Sequence, residues 1–128
     1  MIVIDASVLI GHLSTGDPHH GPATDLLTKY QHHEFVISAI TLAEFLVGPA
    51  RTGQLEMAKE ALAELEIRTH LMDASAPWRL AELRALTGLK LPDCCVLYTA
   101  ESQSESLVAT FDDQLRRHAR KLGIGTAD

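Results

Sequence analysis

The chain has 128 residues, 46% hydrophobic and 22% charged, a balance that argues against intrinsic disorder and for a single domain over residues 1–128. Its longest apolar runs fall well short of the ~20 residues of a membrane span, and the opening MIVIDASVLIG lacks the basic start and cleavage site of a signal peptide, so a cytoplasmic location away from membranes is expected. The net charge of −6 excludes a protein that holds nucleic acid by bulk charge alone, but not one whose acids bind cations that then meet phosphate.

Ile2-Val3-Ile4 is too short for a helix and β-branched, which predicts a buried strand. A helix follows over Ala6–Leu13, with Val8, Leu9, His12 and Leu13 on one face, until Gly16-Asp17-Pro18 breaks it. A second helix carries Ala23, Leu26, Leu27 and Tyr30 to about His32. Phe35–Ser38 reads as a strand, Thr41 as the start of a helix ending near Gly48-Pro49, and Gln54–Leu65 as an amphipathic helix. Ile67–Leu71 is expected as a third strand, Pro77–Leu86 as a helix stopped by Thr87-Gly88, and Pro92 as the first turn of another. Leu107–Thr110 then reads as a strand and Asp113–Leu122 as the last helix. Alternating strands and helices predict an α/β fold, a three-layer sandwich with a central, mostly parallel sheet flanked by helices. Ligands of such sheets bind beyond the carboxyl ends of the strands.

Four acids stand where that rule directs attention. Asp5 follows the first strand directly. Glu44 is expected in the first turn of the helix after the second strand, Asp93 in the first turn opened by Pro92, and Asp112 between the last strand and the last helix. Each has an ordinary alternative: Asp5 and Asp112 as helix caps, Glu44 in a capping box with Thr41, and Asp93 as a partner of the helix dipole. Brought together, four carboxylates would repel unless cations neutralised them, and all-oxygen ligands of high charge suit Mg²⁺ or Mn²⁺.

These segments resemble the PIN-domain family. MIVIDASVLIG is similar to its opening, ISAITLAEFLVG to its second motif with Glu44 in the acidic position, LKLPDCCVLYTA to its third with Asp93, and LVATFDDQL to its fourth with Asp112. The resemblance spans essentially the whole chain and implies a VapC-like toxin: an endoribonuclease holding Mg²⁺ or Mn²⁺ on Asp5, Glu44, Asp93 and Asp112. It also implies a homodimer and a cognate antitoxin that docks across grooves of the first helices. Ser7 and Thr110 are second-tier candidates for hydrogen bonds to the carboxylates or the phosphate, their ordinary alternatives being a helix cap and a strand residue. Asp113, adjacent to Asp112, is another second-tier candidate.

The one concentrated basic run, Arg116-Arg117-His118-Ala119-Arg120-Lys121, offers Arg116, Arg117 and Arg120 as RNA contacts, or else a solvated helix face. The seven histidines lack metal-site spacing and are expected at the surface. Adjacent Cys94 and Cys95 are expected as unbridged helix residues, and Trp78 as core. Three rivals are a receiver-like signalling domain, a PIN-fold binding module without catalysis, and a DNA nuclease of related fold. The first wants an acidic doublet after the first strand and a lysine at a late strand end, where this chain has Asp5-Ala6 and a helical Lys121.

Overall fold

In the computed structural model, which describes residues 1–128, alternate residues of the first strand serve two different cores. Ile2 and Ile4 of β1 (Ile2–Ile4) pack with Val8, Leu9, Leu26, Leu27 and Phe35, whereas Val3 packs with Leu83, Val96, Leu97, Val108 and Leu115 on the other face. A strand buried on both faces needs the unbroken apolar run seen in the sequence. The remaining strands are β2 (Phe35–Ser38), β3 (Ile67–His70), β4 (Leu107–Ala109) and β5 (Gly125–Thr126). They form one sheet in the order β3-β2-β1-β4-β5, and all four pairings are parallel. The two-residue β5 was not anticipated, because Gly and Thr alone carry no strand pattern.

The helices are α1 (Ala6–Leu13), α2 (His20–Lys29), α3 (Ala39–Arg51), α4 (Leu55–Glu64), α5 (Ala76–Thr87), α6 (Leu91–Ser102) and α7 (Asp113–Lys121). Layers of helices on both sheet faces make this the expected three-layer α/β sandwich. No helix is long and apolar enough to cross a membrane.

Several boundaries and environments differ from expectation. Helix α3 starts two residues before Thr41, because the Ser38 hydroxyl accepts a hydrogen bond from the Ile40 amide at 3.2 Å and caps it there. Thr41 is consequently buried inside the helix with its Oγ1 unpartnered, and Glu44 lies in the second turn rather than the first. The helix also runs through Gly48-Pro49 to Arg51. Helix α2 ends at Lys29, short of His32. Gly88 adopts φ of +71° and terminates α5, a conformation that suits a residue without Cβ.

Trp78 is 79% exposed, contrary to its assignment to the core; α5 buries Leu83 and Ala76 and turns the tryptophan outward. The histidines are not uniformly on the surface either. Half-buried His12 bonds Thr24 Oγ1 at 2.9 Å through Nδ1, and His20 Nδ1 donates to the Gly11 carbonyl at 3.0 Å. Cys94 and Cys95 are free and buried in α6.

Candidate active site

The chain leaves β1 toward β2 and β3 on one side and returns to place β4 and β5 on the other. The carboxyl ends of β1 and β4 therefore flank the point where the strand order reverses, the usual crevice of an open parallel sheet. Asp5 stands there, its amide donating to the Ala109 carbonyl at 3.0 Å and its side chain buried. It does not cap α1. Its Oδ2 accepts hydrogen bonds from Ser7 Oγ at 2.9 Å and from Thr110 Oγ1 at 2.7 Å. Each hydroxyl also accepts a backbone N–H: Ser7 Oγ from Phe111 at 3.1 Å and Thr110 Oγ1 from Asp112 at 3.0 Å. With its single proton turned to Asp5, each hydroxyl links that carboxylate to the loop carrying Asp112. Neither shows the ordinary role considered from sequence: Ser7 caps nothing, and Thr110 lies one residue past β4.

Asp112 does cap α7. Its Oδ1 accepts from the amides of Gln114 at 2.9 Å and Leu115 at 3.1 Å, which orients the side chain and leaves Oδ2 without a protein partner. Asp93 lies in the first turn of α6, and α6 packs against α3, β1, β2 and β4. Neither Asp93 nor Glu44 receives any hydrogen bond from the protein. Burial and neighbouring charge hold both above the ordinary carboxylate range. Burial, then the charges of Asp5, Asp112 and Glu44, push Asp93 from 3.8 up to about 6, against a smaller opposing pull from Lys90. Burial and then Asp5 raise Glu44, again opposed by Lys90. Lys90, the N-cap residue of α6, thus faces the site, a role that nothing in its local sequence marks.

No three His, Cys, Asp or Glu side chains are drawn into a finished metal cage. The donor set nevertheless fits a hard divalent ion. It is all oxygen, it retains unpartnered oxygens on Asp5, Asp93, Asp112 and Glu44, and its mutual repulsion marks a deficit of positive charge.

Asp113 points away from this group. Its side chain is 92% exposed and pairs with Arg116 Nη1 at 2.9 Å. Arg116 is also committed, donating from Nη2 to the Thr110 carbonyl at 2.5 Å, with its buried Nε unpartnered. Arg120 bonds Thr126 Oγ1 at 3.0 Å and Asp128 at 3.3 Å. Arg117 and Lys121 enter no ion pair. On the other side of the loop, Phe111 stacks on His19 with ring centroids 4.6 Å apart.

A family model of the PIN domain matches residues 2–121. The chain belongs to the PIN domain family. Solved structures of similar fold include a toxin–antitoxin complex from Klebsiella pneumoniae, with 26% identity, a TM-score of 0.72, and coverage of 88% of this chain and 87% of that one. FitAcB from Neisseria gonorrhoeae matches at 21% identity and a TM-score of 0.74, over 100% of this chain and 97% of the other. VapC20 from Mycobacterium tuberculosis, a sarcin-ricin loop cleaving toxin, matches at 17% identity and a TM-score of 0.70, covering 90% of this chain and 92% of its own. No curated protein matches the chain. This PIN domain is thus VapC-like in fold, with its four acids around the carboxyl ends of β1, β2 and β4.

Proposed function

We propose that this PIN domain is a divalent-metal-dependent endoribonuclease and acts as the toxin of a toxin–antitoxin pair. The observation that carries the reading is the buried Asp5 carboxylate at the carboxyl end of β1, tied through the Ser7 and Thr110 hydroxyls to the loop that carries Asp112. Acids that destabilise one another at a crevice make sense as a site for cations and phosphate. Asp5, Asp93, Asp112 and Glu44 would hold Mg²⁺ or Mn²⁺, which when bound lowers the pKa of water and offsets charge on phosphate. Ser7 and Thr110 fix the direction of Asp5, while the cap bonds of α7 fix that of Asp112. In the net reaction, water adds to phosphorus, the bond to the leaving ribose oxygen breaks, and that oxygen ends protonated. Two features support RNA as the substrate to test first: family membership, since PIN domains are generally nucleases, and the fold shared with a sarcin-ricin loop cleaving toxin.

The Klebsiella likeness supports an antitoxin as partner. A mostly apolar groove of about 210 Å³ between α1, α3 and α4, lined by Leu13, Phe45, Pro49, Met57, Ala58 and Ala61 with Gln54 as its polar member, suits an apolar segment of it. Met57 is 66% exposed there. A homodimer, as in VapC-like toxins, completes the reading, and sedimentation of the purified protein tests it.

The deciding experiment is cleavage of a mixed RNA pool by antitoxin-free protein with Mg²⁺ or Mn²⁺, beside an EDTA control and the Asp5→Asn variant. Cutting that needs metal and disappears with Asp5→Asn supports the reading. Cleavage of single-stranded DNA but not RNA would make this a DNA nuclease, and binding without cleavage by either metal form would make it a binding module.

A further inference from the structure

Of the eleven lysines and arginines in this acidic chain, four face a single surface cavity of about 510 Å³, lined by Asp113, Arg116, Arg117, Arg120 and Lys121 with no hydrophobic residue. The cavity begins at Asp113, next to Asp112, and runs along α7. At 1.5 Å per helical residue, Arg117 stands about 7.5 Å and Lys121 about 13.5 Å beyond Asp112 along the axis. We propose that this cavity is an anion subsite for the sugar–phosphate backbone of RNA next to the cleaved bond, with Arg117 and Lys121 as its contacts.

The basic residues are not equivalent, and their existing bonds sort them. Arg116 is a strut: it ties Asp113 to the Thr110 carbonyl and so braces the loop that carries Asp112. Arg120 is held by Thr126 and Asp128. Arg117 and Lys121 are exposed, lack acidic partners and lie one turn apart on the same face. Cations near a helix C-terminus are favoured by the dipole, which accounts for Lys121. It does not account for Arg117, which lies mid-helix within four residues of three other cations. Free cations of this kind along the helix that Asp112 caps give a polyanion somewhere to rest that the negatively charged crevice does not. The subsite rests on the nuclease reading, because without a nucleic-acid substrate the cavity has no phosphate to meet.

The test measures binding of a labelled single-stranded RNA, kept intact by chelator, across a range of salt, by fluorescence anisotropy. The wild type is compared with the R117A/K121A double variant, with R117K/K121R, and with R51A/K59A, which removes the same charge from exposed positions elsewhere. For single strands each lost phosphate contact lowers the slope of log K against log salt by about 0.7, so R117A/K121A should lose roughly 1.4. R117K/K121R should retain the slope, and R51A/K59A should stay near wild type. Equal slopes for R117A/K121A and wild type overturn the subsite and leave a solvated helix face. Equal losses in R117A/K121A and R51A/K59A overturn it too, as an effect of net charge alone. Wild-type cleavage of ordinary RNA is measured in parallel. If it is absent, the nuclease reading fails; if it is present while the slopes are equal, only the subsite does.

Discussion

Replacing Asp93 by Asn should stabilise the metal-free protein at neutral pH. The folded protein holds Asp93 near 6 instead of 3.8, so ionising it costs more in the folded chain than in the unfolded one. That gap corresponds to ~3 kcal/mol for a fully shielded group. Asp93 is only partly buried, and screening by solvent reduces the figure to ~1 kcal/mol. A carboxyl with a raised folded pKa destabilises above that pKa, where both states are ionised, and not below the unfolded value, where both are protonated. The gain from Asp93→Asn is therefore full above about pH 6, shrinks as pH falls, and is gone below about pH 4. In a domain of this size ~1 kcal/mol moves Tm by about 3–5 °C. Thermal melts followed by circular dichroism in chelator across that range measure the effect. Adding Mg²⁺ should raise the wild-type Tm and close the difference, since a ligand of the folded state stabilises only the chain that binds it. An unchanged or lower Tm for Asp93→Asn near neutral pH would refute the argument, as would a gain that persists at about pH 4.

Thr110→Val removes the hydroxyl that joins Asp5 to the Asp112 amide; it should cost about 1–3 kcal/mol by leaving buried polar groups unpaired, and lower metal-dependent cleavage roughly 10- to 100-fold, as read by melts and initial rates. Gly11→Ala places a Cβ 3.2 Å from both the Ala23 Cβ and the His19 carbonyl, so α1 and α2 must part; a loss of ~1–3 kcal/mol in urea unfolding is expected. Trp78→Ser should change the stability of the isolated chain by less than about 0.5 kcal/mol, whereas Leu83→Ala, on the buried side of the same helix, should cost about 2–5 kcal/mol in the same denaturation series. Met57→Glu should abolish stoichiometric co-purification of a co-expressed antitoxin, and retention of the complex would remove the α1–α3–α4 groove from the interface.

The elements themselves were legible because their signals are local. Ile2-Val3-Ile4 and Phe35-Val36-Ile37 are apolar runs too short for helices and rich in β-branched residues, and Gly88 and Pro92 punctuate the chain through backbone geometry. The positions of the four acids were also legible, since each lies at or near a junction between elements. Local signals decide less once two compete. Thr41 looked like a cap, but Ser38, already at the strand end, caps first and starts α3 earlier. Trp78 looked like core on hydrophobicity alone, yet which face of α5 is buried depends on where α6 lies.

The sequence by itself determined the alternation of strands and helices, the parallel α/β class and the identity of the acidic residues, because periodicity, turn chemistry and motif order act between residues close in the chain. Only the tertiary structure decided what those acids experience. Asp5 meets Thr110 across 105 positions, Lys90 of the α6 cap acts on Glu44 of α3, and Arg116 is spent on the Thr110 carbonyl while Arg117 stays free. Burial, hydrogen bonding and charge coupling depend on distance in space, and strand order sets that distance where spacing along the chain does not.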